Sequence, residues 1–193
     1  MVDIILEGRA PLVISAEVVV QHCLQPGRSI SPSELKRLRA EQREKSVLER
    51  ALRLVASRQR SEHELRQRLA QRCRNGAAIE AAIARLRELG LIDDTAFAQS
   101  WTESRDRASP RSARMIASEL RRKGIASEAA EAATAGVDDA EAAYRAAARR
   151  AAAMKALDFS DFQQRLGNFL LRRGFSHEIA GEAVRRLWAE KRP

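Results

Sequence analysis

The sequence predicts a mainly α-helical protein: three tandem three-helix repeats forming an elongated curved body, preceded by a small N-terminal β-hairpin and helical extension. Three observations carry that expectation. Apolar residues recur at helical spacing from residue 46 onward. β-rich text is confined to the first 14 residues. The apolar pair Leu65/Leu69 returns as Ile116/Leu120 and again as Leu166/Leu170, a period near 50 residues.

The extension comes first, residues 1–45. Val2, Ile4, Ile5 and Leu6 precede Glu7-Gly8-Arg9, and Leu12, Val13 and Ile14 follow, which reads as a hairpin. A lone hairpin is marginal in water, so it should pack on the apolar stretch Ala16 to Leu24. Ser31-Pro32-Ser33-Glu34 supplies an N-cap, a proline at the first helical position and a glutamate at N3. The helix it starts is heavily charged from Arg39 to Lys45 and should run as a solvated linker into the next element.

Repeat 1 spans residues 46–94. Its first helix carries Val47, Leu48, Ala51, Leu52 and Val55; Ser61-Glu62-His63-Glu64 caps the second; Ile79, Ala82, Ile83, Leu86 and Leu89 mark the third, closed by Gly90. Repeat 2 spans 95–139: Asp93 or Asp94 caps a helix with Phe97, Ala98 and Trp101, Ser109-Pro110 starts a second ended by Gly124, and Ser127 caps a third. Repeat 3 spans 140–193: an Ala-rich helix from about Ala140 to Leu157, with Tyr144, Ala147, Ala151 and Met154 on one face, a helix capped by Ser160 and ended by Gly174, and one capped by Ser176. Such helices, of about 12 residues, do not hold alone in water, so their apolar stripes must meet.

Charge comes next. The 193 residues hold 35 Lys or Arg against 26 Asp or Glu, a formal net charge of +9, which points to a polyanionic or acidic partner. Thirty of those basic residues are arginine, the side chain suited to bidentate phosphate and carboxylate contacts, although a GC-rich genome would enrich it too. The excess falls on repeats 1 and 3; repeat 2 carries seven basic and seven acidic residues. No apolar run reaches the roughly 20 residues of a membrane helix, and no signal peptide opens the chain. A cytoplasmic, reducing setting is therefore expected.

Catalysis finds little support. His22, His63 and His177 are scattered, and Cys23 and Cys73 read as ordinary buried or half-buried thiols. No phosphate loop, HExxH or nucleophile elbow is present, so no catalytic, metal or cofactor residue is assigned. Asp93-Asp94 reads as a helix cap rather than a metal pair. Phe97, Trp101, Phe169 and Trp188 fall on apolar stripes, so core packing is expected rather than base stacking.

Basic residues gathered around the second helix of each repeat are the informative feature. Arg58, Arg60, Arg66 and Arg68 lie in repeat 1, with Arg72 and Arg74 beyond; Arg111, Arg114, Arg121, Arg122 and Lys123 in repeat 2, with Arg105 and Arg107 before; Arg172 and Arg173 in repeat 3. A solvated face with Glu partners would explain them. A stripe facing a polyanion or an acidic protein explains them better.

The residues also resemble a known family. Arg60-Ser61-Glu62-His63-Glu64-Leu65, the run IARLRELGLIDD over 83–94, Phe97-Ala98 and IASELRRKGI over 116–125 are similar to the RecX regulatory proteins. The resemblance is good over about residues 46–135 and looser in the third repeat, and residues 1–45 resemble the extension of some members. Two departures stand out: Cys73 replaces a common helix-ending glycine, with Asn75-Gly76 supplying the turn, and Ser109-Pro110 replaces a glycine-containing stretch. The resemblance implies a cytoplasmic negative regulator of the RecA recombinase in the SOS response, homologous recombination and DNA repair. It implies binding to RecA and to its single-stranded-DNA filament, in the filament groove, with inhibition of ATPase, strand exchange and co-protease activity. It implies three-helix repeats and defines no sharp active site.

The expected partners are thus RecA, its filament, single-stranded DNA and, as a further option, double-stranded DNA, met by a monomer without a cofactor or membrane. Arg58, Arg60, Arg66, Arg68, Arg111, Arg114, Arg121, Arg122, Lys123, Arg172 and Arg173 would make the contacts. The alternative is a helix-turn-helix-like regulator that binds duplex DNA without RecA.

Overall fold

The computed structural model describes residues 2–4, 12–154 and 157–191. The chain forms two compact units, residues 1–92 and 93–193.

In the first unit, β1 (Val2–Ile4) pairs antiparallel with β2 (Leu12–Ile14), placing Val2 opposite Ile14 and Ile4 opposite Leu12. The expected turn between them lies outside the described residues. Helix α1 (Ala16–Gln21) follows, its N-cap Ser15 accepting from Val18 N. Helix α2 (Pro32–Ser57) is a single rod of 26 residues capped by Ser31, whose Oγ accepts from Glu34 N at 3.1 Å. Its N-terminal half offers Leu38 to Ile14 and Val18, and these three form the small core that joins β2 and α1 to α2. The charged stretch expected to be a solvated linker has one inward residue: Gln42 is buried and its Oε1 accepts from Ser15 N at 2.6 Å. The C-terminal half of α2 offers Val47 and Ala51 to α3 (Glu62–Ala70) and α4 (Gly76–Glu88), where Leu65, Leu69, Ile79, Ile83 and Leu86 close the core.

The second unit holds two three-helix modules. Helices α5 (Asp94–Ala108), α6 (Ala113–Arg122) and α7 (Ser127–Thr134) enclose Phe97, Ala98, Ile116, Leu120 and Ile125. Helices α8 (Asp139–Ala151), α9 (Phe159–Arg172) and α10 (His177–Lys191) enclose Phe162, Leu166, Leu170, Phe175, Val184 and Leu187. The six repeated positions, Leu65, Leu69, Ile116, Leu120, Leu166 and Leu170, are all at most 1% exposed. Each contributes about 1.5–3 kcal/mol through burial.

Glycine closes three helices in the same way. Gly90, Gly124 and Gly174 adopt φ of 65°, 84° and 88°. The amides after them, of Leu91, Ile125 and Phe175, bond back to Leu86, Leu120 and Leu170, a Schellman closure that needs a left-handed residue. Gly174 is fixed a second time, because a Cβ there would lie 2.5 Å from Ser112 Oγ and 2.8 Å from Met115 Cβ.

Several expected boundaries move. Helix α6 begins at Ala113 with Ser112 as cap, not at Ser109-Pro110. Ser109 instead ends α5, and the Ser112 amide donates to Arg173 O while the Ala113 amide donates to Asp139 Oδ1 at 2.7 Å. Those tertiary bonds hold the segment extended past the proline. Asp158, not Ser160, caps α9, which places Phe159 at its first turn against the Trp188 ring, 5.3 Å between centroids. Ser127 is the first residue of α7, which has no side-chain cap. Helix α8 stops at Ala151 rather than near Leu157. Gly76 does not turn the chain but opens α4, whose N-cap Asn75 accepts from Ala78 N. Cys23 is exposed, with φ of 48°, rather than buried.

Candidate nucleic-acid interface

The basic residues divide into those that hold the fold and those that face outward. In the first unit, Arg58 and Arg60 both ion-pair with Glu64. Arg60 also donates to Leu54 O at 2.9 Å, closing the α2–α3 connection. Burial alone would raise the Glu64 carboxyl, but hydrogen bonds and charge from the two arginines outweigh it and hold it below its ordinary value. Arg66 bridges Glu62 and Glu80, and Arg87 reaches the same Glu62 at 2.8 Å, tying α3 to α4. Arg68, Arg72 and Arg74 are exposed and, among the described residues, have no ion-pair partner.

Module 2 repeats the pattern with a deeper centre. Arg111 precedes the capping Ser112 as Arg60 precedes Ser61. The buried Glu119 accepts from Trp101 Nε1 at 3.0 Å and Arg105 Nε at 2.8 Å, and pairs with Arg111. Burial pushes this carboxyl up, and those donors more than reverse it, leaving it lowered. Arg114 and Arg121 are exposed and, among the described residues, lack a partner; Arg122 is exposed with one long bond to Ser118 O. Lys123 is half-buried, its ammonium 4.0 Å from the Trp101 ring centroid.

Module 3 has no such carboxylate. The position of Glu119, one period on, is Phe169. Arg150 and Arg173 lie over its ring, 4.9 and 4.5 Å from the centroid. Arg173 is half-buried and donates to Ser109 Oγ and Pro110 O, so it joins module 3 to module 2. Arg172 is exposed and, among the described residues, without a partner.

Of the expected contact residues, then, Arg58, Arg60, Arg66, Arg111 and Arg173 have structural partners and Lys123 covers an aromatic ring. Arg68, Arg114, Arg121, Arg122 and Arg172 stand outward. Arg149 and Arg150, on α8, were outside the expected set, because only the fold brings them beside Arg173. The aromatic rings pack as expected: Phe97 is buried, while Trp101, Phe169 and Trp188 are half-buried under cationic side chains.

Asp93 behaves as a cap, accepting from the amides of Thr95 and Ala96. Among the described residues there is no grouping of His, Cys, Asp and Glu that could hold a metal ion, and no helix is long and apolar enough to cross a membrane.

Comparison with known proteins matches this architecture. Family profiles described as the first, second and third three-helix domains of RecX match residues 48–86, 93–133 and 138–184. The chain is 36% identical to the regulatory protein RecX of Chlorobium limicola, over 72% of this chain and 87% of that one. It is 36% identical to that of Mycobacterium avium, over 74% and 84%, and 35% identical to that of Chlorobaculum tepidum, over 78% and 94%. The fold is that of a crystal structure of regulatory protein RecX, with a TM-score of 0.70 at 21% identity over 92% of this chain and 90% of that one. A structure of RecX from Lactobacillus salivarius gives 0.66 at 23% identity, over 76% and 97%. The chain belongs to the RecX family of regulatory proteins.

Proposed function

We propose that the protein is a cytoplasmic, monomeric negative regulator of the RecA recombinase that binds RecA on its single-stranded-DNA filament. It restrains ATP hydrolysis, strand exchange and co-protease activity. The observation that carries this reading is the set of outward arginines around the C-terminal end of the second helix in successive modules: Arg68 and Arg72 in the first, Arg121 and Arg122 in the second, Arg172 in the third, with Arg122 and Arg172 at equivalent positions. A partner with regularly spaced phosphates and acidic side chains meets such a set, and several modest contacts then sum to useful affinity. Restraint follows when the bound protein favours one filament state over another.

The test is RecA ATPase on single-stranded DNA with purified protein added. Inhibition that saturates with protein is expected, and unchanged hydrolysis at saturation overturns the reading. DNA binding without RecA should be weak, independent of sequence and salt-sensitive, with a log–log slope of about −0.7 per single-strand phosphate neutralised. Tight, site-selective duplex binding in competition with random duplex would favour the helix-turn-helix-like regulator.

A further inference from the structure

A cavity of about 210 Å³ opens where α8 and α9 meet the α5–α6 connection, inside the second unit. Ser109, Pro110, Arg149, Arg150, Phe169 and Arg173 line it, and no acidic side chain does. Its floor is the Phe169 ring, over which two guanidinium groups already lie. Among the described residues, Arg173 donates to protein acceptors through Nη1 alone, to Ser109 Oγ and Pro110 O, which leaves Nη2 and Nε for a ligand. Arg149 makes one long contact, 3.5 Å to Ala108 O.

Arg173 is also electrostatically uncompensated. Burial pushes its guanidinium below the ordinary value, and the charges that act with burial are those of Arg111 and Arg150, with no carboxylate opposing them. Several other half-buried arginines are met by a carboxylate: Arg105 and Arg111 by Glu119, Arg60 by Glu64 and Arg66 by Glu62. Converging cations around an aromatic ring, with no carboxylate beside them among the described residues, are suited to receive an anion from outside. Planar forks match the oxygens of a phosphate in pairs.

The geometry points to a phosphate-binding site in this cavity, held by Arg149, Arg150 and Arg173, that takes one phosphodiester of a nucleic-acid strand. The inference names the ligand of one site and rests on the reading that the protein meets a DNA backbone. The strand would reach the site from the side of the exposed Arg149 and Arg150, while Arg173 anchors it from below.

The experiment uses the full chain and a fluorescently labelled 30-nucleotide oligothymidylate, with anisotropy read across a salt series. The variant R149Q/R150Q removes the two outer forks and leaves the Arg173 bonds to Ser109 and Pro110 intact. A control, R165Q/R185Q, removes equal charge from exposed arginines of the same module. The expected result is at least a fivefold loss of oligonucleotide affinity in the first variant, a salt slope shallower by about 0.7, and a much smaller change in the control. Unchanged affinity in the first variant, or equal losses in both, overturns the site. Inorganic phosphate at matched ionic strength is the second arm. Phosphate-dependent thermal stabilisation lost in R149Q/R150Q, with oligonucleotide binding unchanged, would assign the cavity to a free phosphate and overturn the nucleic-acid assignment. RecA ATPase on the same proteins separates the two readings: a wild-type chain that binds oligonucleotide here yet leaves RecA uninhibited sinks the RecA reading and keeps the site.

Discussion

Modules 2 and 3 use one helical scaffold to treat arginines in opposite ways. At one repeat position module 2 has Glu119, which gathers Arg105 and Arg111, and module 3 has Phe169, which gathers Arg150 and Arg173. The carboxylate neutralises its cations and turns them into structure. The ring holds its cations in place without cancelling their charge. The side chain at that position therefore decides whether the two arginines that reach it are paired with a carboxylate or only stacked on a ring.

The largest effect tests the shared scaffold. Leu120→Ala and Leu170→Ala truncate corresponding residues at 0% exposure, and each should cost about 2–5 kcal/mol in denaturant unfolding. Strongly unequal costs would break the equivalence of the modules.

Next comes the neutralising carboxylate. Glu119→Ala leaves Arg105, Arg111 and the Trp101 indole without their acceptor, and should cost about 2–3 kcal/mol, less than a fully buried pair because the arginines are partly solvated. A thermal midpoint equal to wild type would remove Glu119 from the centre of module 2.

Acid titration sharpens the same contrast. The folded Glu119 carboxyl lies below its ordinary 4.5 and regains that value on unfolding. Its stabilisation is therefore complete above about pH 4.5 and is lost as pH falls through the folded value. Glu64 in the first module has the same sign. Thermal scans below pH 4.5 should show a shallower loss in Glu119→Gln than in wild type; parallel curves would contradict the direction.

The smallest effect on stability is at the exposed end of α6. Arg121→Glu with Arg122→Glu should change stability by about 0.5 kcal/mol or less per site while weakening filament binding. Lys123 is better left out of such a variant, since its ammonium covers Trp101 and its loss would disturb packing as well as charge. Loss of helical circular dichroism in the double variant would make these arginines structural.

Much of this was readable in the sequence because it is local. Ser31, Ser61 and Asp93 cap their helices through bonds to amides two or three residues away, and Gly90, Gly124 and Gly174 close theirs within one turn. Where two capping residues stand close together, local chemistry does not choose. Ser112 prevails over Ser109 where its amide donates to Arg173 O and the Ala113 amide donates to Asp139, both distant in sequence, and Asp158 over Ser160 where Phe159 meets Trp188. The candidate basic surface was half readable for the same reason. The i, i+4 pair Arg60–Glu64 shows in the spacing, whereas Arg105–Glu119 and the gathering of Arg149, Arg150 and Arg173 exist only once helices pack.

The uninterrupted α2 makes the extension and the first module a matter of phase. Twenty-six residues at 1.5 Å each give a rod about 39 Å long, with Leu38 facing the hairpin core and Val47 and Ala51 facing the three-helix core. One residue inserted between them would swing the two ends by about 100°, whereas seven would lengthen the rod by about 10 Å and return the ends to within about 20°. Whatever the hairpin touches, its orientation toward the first module is set by counting residues along one helix.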